Sequence, residues 1–94
     1  MAFARVVAFE GVSADRVAQS KNRVENDPLP DGVSVTEILM LHDAAGERSL
    51  VIQFFESEED YRRGEAVFDA MTPGETPGRR ASVDKYEVAL RRTA

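Results

Sequence analysis

The chain opens on strict alternation. In "FARVVAFE", residues 3–10, Phe3, Arg5, Val7 and Phe9 share one side and Ala4, Val6 and Ala8 the other, which predicts a β-strand. The pattern then changes to helical spacing in "GVSADRVAQSKNRVEN". Ser13 is a good N-cap, Asp15 suits the positive helix end, and Val12 and Val17 have the spacing of a hydrophobic staple. Ala14, Val17, Ala18, Lys21 and Val24 make only a thin apolar stripe, so this helix covers a sheet on one side. The prolines and glycine of "DPLPDG" break the pattern at residues 27–32.

Two further strands follow, "VSVTEILMLH" (33–42) and "LVIQFFE" (50–56). The intervening "DAAGERS" reads as a hairpin turn centred on Ala45 and Gly46, with Gly46 supplying a positive φ. That register sets Asp43 opposite Arg48 and His42 opposite Ser49. "SEEDYRRGEAVFDAM" (57–71) is the clearest helix: Ser57 caps it, Asp60 completes an S-x-x-D box, and Glu58 and Glu59 load the first turn. Tyr61, Gly64, Val67, Phe68 and Met71 line one face. "TPGETPGRRAS" (72–82), with two Pro-Gly turns, is expected to be the most mobile internal segment. "VDKYEVALR" (83–91) is the last strand.

The order β-α-β-β-α-β closes, with short connections and right-handed crossovers, as a ferredoxin-like α+β sandwich. Its four-stranded antiparallel sheet carries two helices on one face. Val35, Leu39, Leu41, Leu50, Ile52 and Phe54, nearly all apolar, are expected under the helices. Phe3, Val7, Phe9, Ile38, Met40, Val51 and Phe55 are expected on the bare face, together with the charged Arg5, Lys85 and Glu87, which would pair across subunits. An apolar face that size marks an interaction surface, and a second copy is the simplest cover.

Composition narrows the function classes. Ninety-four residues make one domain, 1–94, with a modest core, and the lack of cysteine removes both disulfides and zinc-thiolate sites. A single histidine excludes a histidine-rich metal site within one subunit, so no metal or cofactor is expected. A net charge of −5 gives no electrostatic footprint for nucleic acid. No stretch reaches the roughly 20 apolar residues of a membrane span or the length of a signal-peptide core. No membrane partner is expected, and the expected location is the cytoplasm.

"FFESEEDYRRGEAVFDAM" after the third strand and "SVDKYEVAL" near the end resemble the dimeric α+β barrel superfamily, which includes antibiotic-biosynthesis monooxygenase-like proteins. The resemblance spans nearly the whole chain and implies a homodimer, closing into an α+β barrel, with a ligand cleft between sheet and helices of each subunit. Members include cofactor-free monooxygenases, haem-degrading enzymes, lactone isomerases and ligand-sensing domains, so the fold fixes no chemistry. Haem-degrading members resemble one another in a first-strand asparagine, a tryptophan and a histidine on the second helix. This chain has no tryptophan, its Asn22 and Asn26 fall on the first helix, and His42 falls on a strand.

The candidate catalytic groups are His42, Tyr61 and Tyr86. His42 is either a general base facing a cavity or a rim residue one step before a turn. Its neighbour Asp43 points to the opposite side of the strand, so the two do not form a dyad. Tyr61 and Tyr86 either donate hydrogen bonds to a bound oxygenated aromatic or fill the core. The candidate cleft residues are Glu37, Phe54, Gly64 and Phe68. Gly64 gives either close helix–sheet packing or room for a ligand, and Glu37 is either a cleft carboxylate or a strand-end rim residue. Three readings follow: a homodimer binding a small apolar or aromatic metabolite, a cofactor-independent monooxygenase, isomerase or cyclase acting on an aromatic or polyketide-like substrate, and a partner-binding subunit without a ligand.

Overall fold

The computed structural model describes residues 2–27, 29, 32–70 and 79–93. Six elements follow in order: β1 (Phe3–Glu10), α1 (Ala14–Asn26), β2 (Glu37–Asp43), β3 (Arg48–Phe55), α2 (Glu58–Asp69) and β4 (Arg79–Glu87). The strands form one antiparallel sheet in the order β2-β3-β1-β4. This is the β-α-β-β-α-β plan of the sequence pattern.

Local chemistry places the ends. The Ser13 hydroxyl accepts from the Arg16 N–H at 3.2 Å and the Ser57 hydroxyl from the Asp60 N–H at 3.1 Å, so both predicted N-caps form. Val12 is fully buried, and Val17 packs against the same cluster, as a staple requires. Gly11 turns the chain from β1 toward α1 with φ 66°, where a side chain would be strained. The hairpin pairs Asp43 with Arg48 and His42 with Ser49. Its positive φ lies at Glu47 (50°) and not at Gly46. Gly46 is small for another reason: a Cβ there would lie 2.8 Å from Asp43 Oδ2 and 2.9 Å from Arg48 Nε.

β4 begins at Arg79, earlier than the pattern predicted, so residues 79–82 are strand and not loop. Arg79 and Arg80 are drawn into pairing by Glu10 and Asp69, with a register shift between Ala8 and Phe9 that accommodates the extra residue. The remainder of the proline-glycine segment, residues 72–78, lies outside the described residues, as does Met71, expected on the second helix's apolar face.

Apart from Val35, which packs with the α2-side cluster as expected, the two sheet faces are the reverse of the expectation. Val7, Phe9, Val12 and Val51 form one core cluster, joined by Val17 of α1 and by Ile38, Met40 and Val83. Phe55 forms a second with Tyr61 and Phe68 of α2 and with Phe3. The Phe3–Arg5–Val7–Phe9 side therefore lies under the helices. The leucine-rich side is bare: Leu39, Leu41 and Leu50 are all exposed. The helix layer needs aromatic bulk to fill it, and Phe3, Phe9, Phe55 and Phe68 provide that bulk. The polar residues that made this side look solvent-facing, Arg5 and Gln53, satisfy each other inside it.

Candidate functional site

Arg5 is the unusual residue of the interior. It sits in the middle of β1, paired with Gln53 of β3 on one side and Lys85 of β4 on the other. Alternation turns it toward α2, and its side chain is only 2% exposed. A buried guanidinium is tolerable only with compensating partners. Nη1 donates to Gln53 Oε1 at 3.1 Å and Nη2 to Asp69 Oδ1 at 2.9 Å. The guanidinium carbon stands 5.3 Å from the centre of the Phe68 ring, a cation–π contact. Nε has no hydrogen-bond partner, although it is sealed from water.

α2 brings the other groups. Its Tyr61, Gly64 and Phe68 occur at i, i+3 and i+7, one face of a helix, and all three are buried. Gly64 permits close approach: a Cβ there would lie 2.5 Å from a Phe55 ring carbon. Phe55 itself fills that space and meets Tyr61 edge to face at 5.4 Å and 67°. Burial, reinforced by the nearby Glu65, pushes the Tyr61 hydroxyl up to about 12. Tyr61 is thus a hydrogen-bond donor at neutral pH and not a proton acceptor. Lys85 Nζ lies 5.0 Å from the Tyr61 ring centre, 5.1 Å from that of Phe3 and 3.5 Å from Glu58 Oε1.

Asp69 closes the outer end. Its Oδ1 also accepts from Arg80 Nη1 of β4 at 3.0 Å, so two guanidinium groups share one oxygen. Asp69 is half exposed while Arg5 is not. The pair therefore runs from water inward to the aromatic cluster.

The candidate residues from the sequence divide into three places. Tyr61, Gly64 and Phe68 meet under α2 beside Arg5. Glu37, Phe54 and Tyr86 lie on the opposite, bare face, in one row across the sheet: Glu37 pairs with Phe54, Phe54 with Ala4, and Ala4 with Tyr86. Glu37 and Phe54, expected in the cleft under the helices, thus face away from it. Both are engaged by Arg91, which ion-pairs with Glu37 and stands 4.5 Å from the Phe54 ring centre. Tyr86 is 57% exposed. His42 is exposed at the hairpin end, four residues beyond the Arg5 row along the strands, roughly 13 Å away at ~3.3 Å per residue. There it helps to line an open concavity of about 440 Å³ that also takes in Ala8, Leu41, Leu50 and Ala81 and is rimmed by the Asp43–Arg48 and Glu10–Arg79 ion pairs.

Gln53, Asp69 and Arg80 were not singled out from the sequence, and Arg5 was expected to pair across subunits. A signal existed: an arginine in mid-strand between Phe3 and Val7 of one face, on a chain whose third strand carries a glutamine at mid-length. Among the described residues no group of three histidine, cysteine, aspartate or glutamate side chains is placed to hold a metal ion. No described helix is long and apolar enough to cross a membrane.

No family model and no curated protein matches this sequence. Its structure is similar to that of a chain described as a "putative Antibiotic biosynthesis monooxygenase" from Chloroflexus aurantiacus J-10-fl. The TM-score is 0.65 at 12% identity, over 99% of this chain and 98% of that one. At that identity the likeness establishes the architecture alone: the chain shares the ferredoxin-like fold of that protein.

Proposed function

We propose that this protein is a homodimer that binds a small, largely apolar or aromatic molecule between its sheet and α2. The observation that carries the reading is Arg5: a guanidinium sealed from water, set against an aromatic ring, with one N–H unfilled. Small-molecule sites are mostly apolar with a few placed polar groups, and Arg5 with Tyr61 and Gln53 has that composition. The helix layer is unevenly packed, since α2 buries three residues and α1 buries none. That unevenness favours entry between the helices. The bare leucine face supports self-association, and a cysteine-free composition suits a reducing compartment such as the cytoplasm. Binding is preferred to base catalysis because Tyr61 holds its proton and His42 stands apart from the buried cluster.

Amide NMR spectra recorded with indole and with decanol test the reading. The expected result is shifts concentrated at Gln53, Tyr61 and Phe68, abolished by Arg5→Met in a variant that still folds. Shifts confined to the bare face or the hairpin end would reject a site under α2.

A further inference from the structure

We infer that the ligand of this site is an aromatic carboxylate, and that Asp69 occupies the position its carboxyl group would take. The inference rests on the binding reading above and adds the ligand's chemical class. Arginine holds carboxylates best through two parallel N–H···O bonds along one edge of the guanidinium. One edge of a guanidinium offers Nη2 and Nε together. In Arg5, Asp69 Oδ1 takes Nη2 at 2.9 Å, and Nε is left with nothing. The same Oδ1 is also claimed by Arg80 at 3.0 Å. Asp69 is thus an incomplete partner, anchored at the end of α2 and divided between two cations.

Arg5 and Arg80 share this one carboxylate. An incoming carboxylate completes the Arg5 edge while Asp69 stays with Arg80. The ring class follows from the walls: the Phe68 face against Arg5, and the Phe55–Tyr61 pair alongside. Asp69 and Arg80, at the outer end, are 50% and 34% exposed.

Asp69→Ala removes the internal competitor. Thermal melts and titrations of the wild type and this variant with sodium benzoate, benzamide and sodium chloride, at matched ionic strength, give the test. Benzoate should bind Asp69→Ala at least about tenfold tighter than wild type and raise its melting temperature, because an anion already holding the site lowers apparent affinity by its own coupling. Benzamide should show no such preference, and Arg5→Met added to Asp69→Ala should abolish the gain. If Asp69→Ala does not fold, Asp69→Asn keeps an oxygen acceptor for Arg5 and serves the same comparison. Equal effects of benzoate and chloride, or a gain that survives Arg5→Met, would overturn the inference. Neutral probes that shift Tyr61 and Phe68 in wild type while benzoate gains nothing would sink the carboxylate assignment and leave the site standing. If no probe of either class moves those residues in any variant, the site itself fails.

Discussion

At the scale of single residues, two groups under α2 carry opposed effects whose sizes decide the outcome. Alanine at position 64 would gain about 1 kcal/mol of helix propensity over glycine. Its methyl group would also meet the Phe55 ring at 2.5 Å, and Phe55 is fully buried with no room to retreat. Overpacking of this kind costs about 1–3 kcal/mol. Gly64→Ala should therefore be net destabilising by roughly 1 kcal/mol in urea unfolding, and a stabilised variant would show that the helix is not held close. Tyr61 makes a pH prediction. Its hydroxyl is pushed up to about 12 in the folded chain, against about 10 when unfolded. The folded state then holds a proton that the unfolded state releases between those values, so stability falls as pH rises through that window. Tyr61→Phe should flatten this alkaline loss, read as the slope of unfolding free energy against pH from 9 to about 12.

At the scale of elements, the β2–β3 hairpin shows a turn built by side chains. The Asp43 carboxylate accepts from Arg48 Nη2 at 2.6 Å and from the Gly46 N–H at 3.1 Å, and these bonds hold its pKa below the usual carboxylate range. A depressed carboxylate favours the folded turn above its ordinary pKa, and the benefit fades as pH falls through the folded value. Gly46 amide exchange should accordingly quicken in acid, and in Asp43→Ala at neutral pH. An Asp43→Ala exchange rate equal to wild type would remove Asp43 from the turn. Glu47 sits at φ 50°, where side chains other than asparagine and aspartate are strained by roughly 1 kcal/mol. Glu47→Asn should raise stability by up to ~1 kcal/mol. The turn centre and both caps were legible in the sequence because each depends on residues within four positions. The strained position was not, since glycine at 46 is demanded by the Asp43 and Arg48 side chains above it and not by backbone angle. The start of β4 was hidden for a related reason: Arg79 and Arg80 read as surface charge, and only partners 69 and 11 residues away make them strand.

At the scale of the whole molecule, alternation along a strand says which residues share a face but not which face lies under the helices. Both faces of this sheet are apolar enough for either role, and the choice was settled by groups distant in sequence: Val17 from α1, and Tyr61, Phe68 and Asp69 from α2. Arg5 was misread for the same reason, since its partner Asp69 is 64 positions away. The correction moves the surface expected to join two copies. Leu39, Leu41 and Leu50 stand together on adjacent strands, 38–48% exposed, beside the Glu37–Phe54–Ala4–Tyr86 row. A chain of this length has little core to spare, and leaving three leucines in water forfeits burial at about 25 cal/mol per Å² of apolar surface. Two copies meeting through this face would recover it. The wild type should therefore show a dimer mass by light scattering at micromolar concentration, and its melting temperature should rise with protein concentration. Leu50→Glu should yield a folded monomer, because that side chain is already partly in water within one chain. Val7→Glu, at 1% exposure on the helix side, should instead unfold the protein, since an unpaired buried carboxylate costs several kcal/mol. A monomeric wild type, or a Leu50→Glu protein that remains dimeric, would place the contact elsewhere on the surface. A Val7→Glu protein that folds as a monomer would return the interface to the side now assigned to the helices.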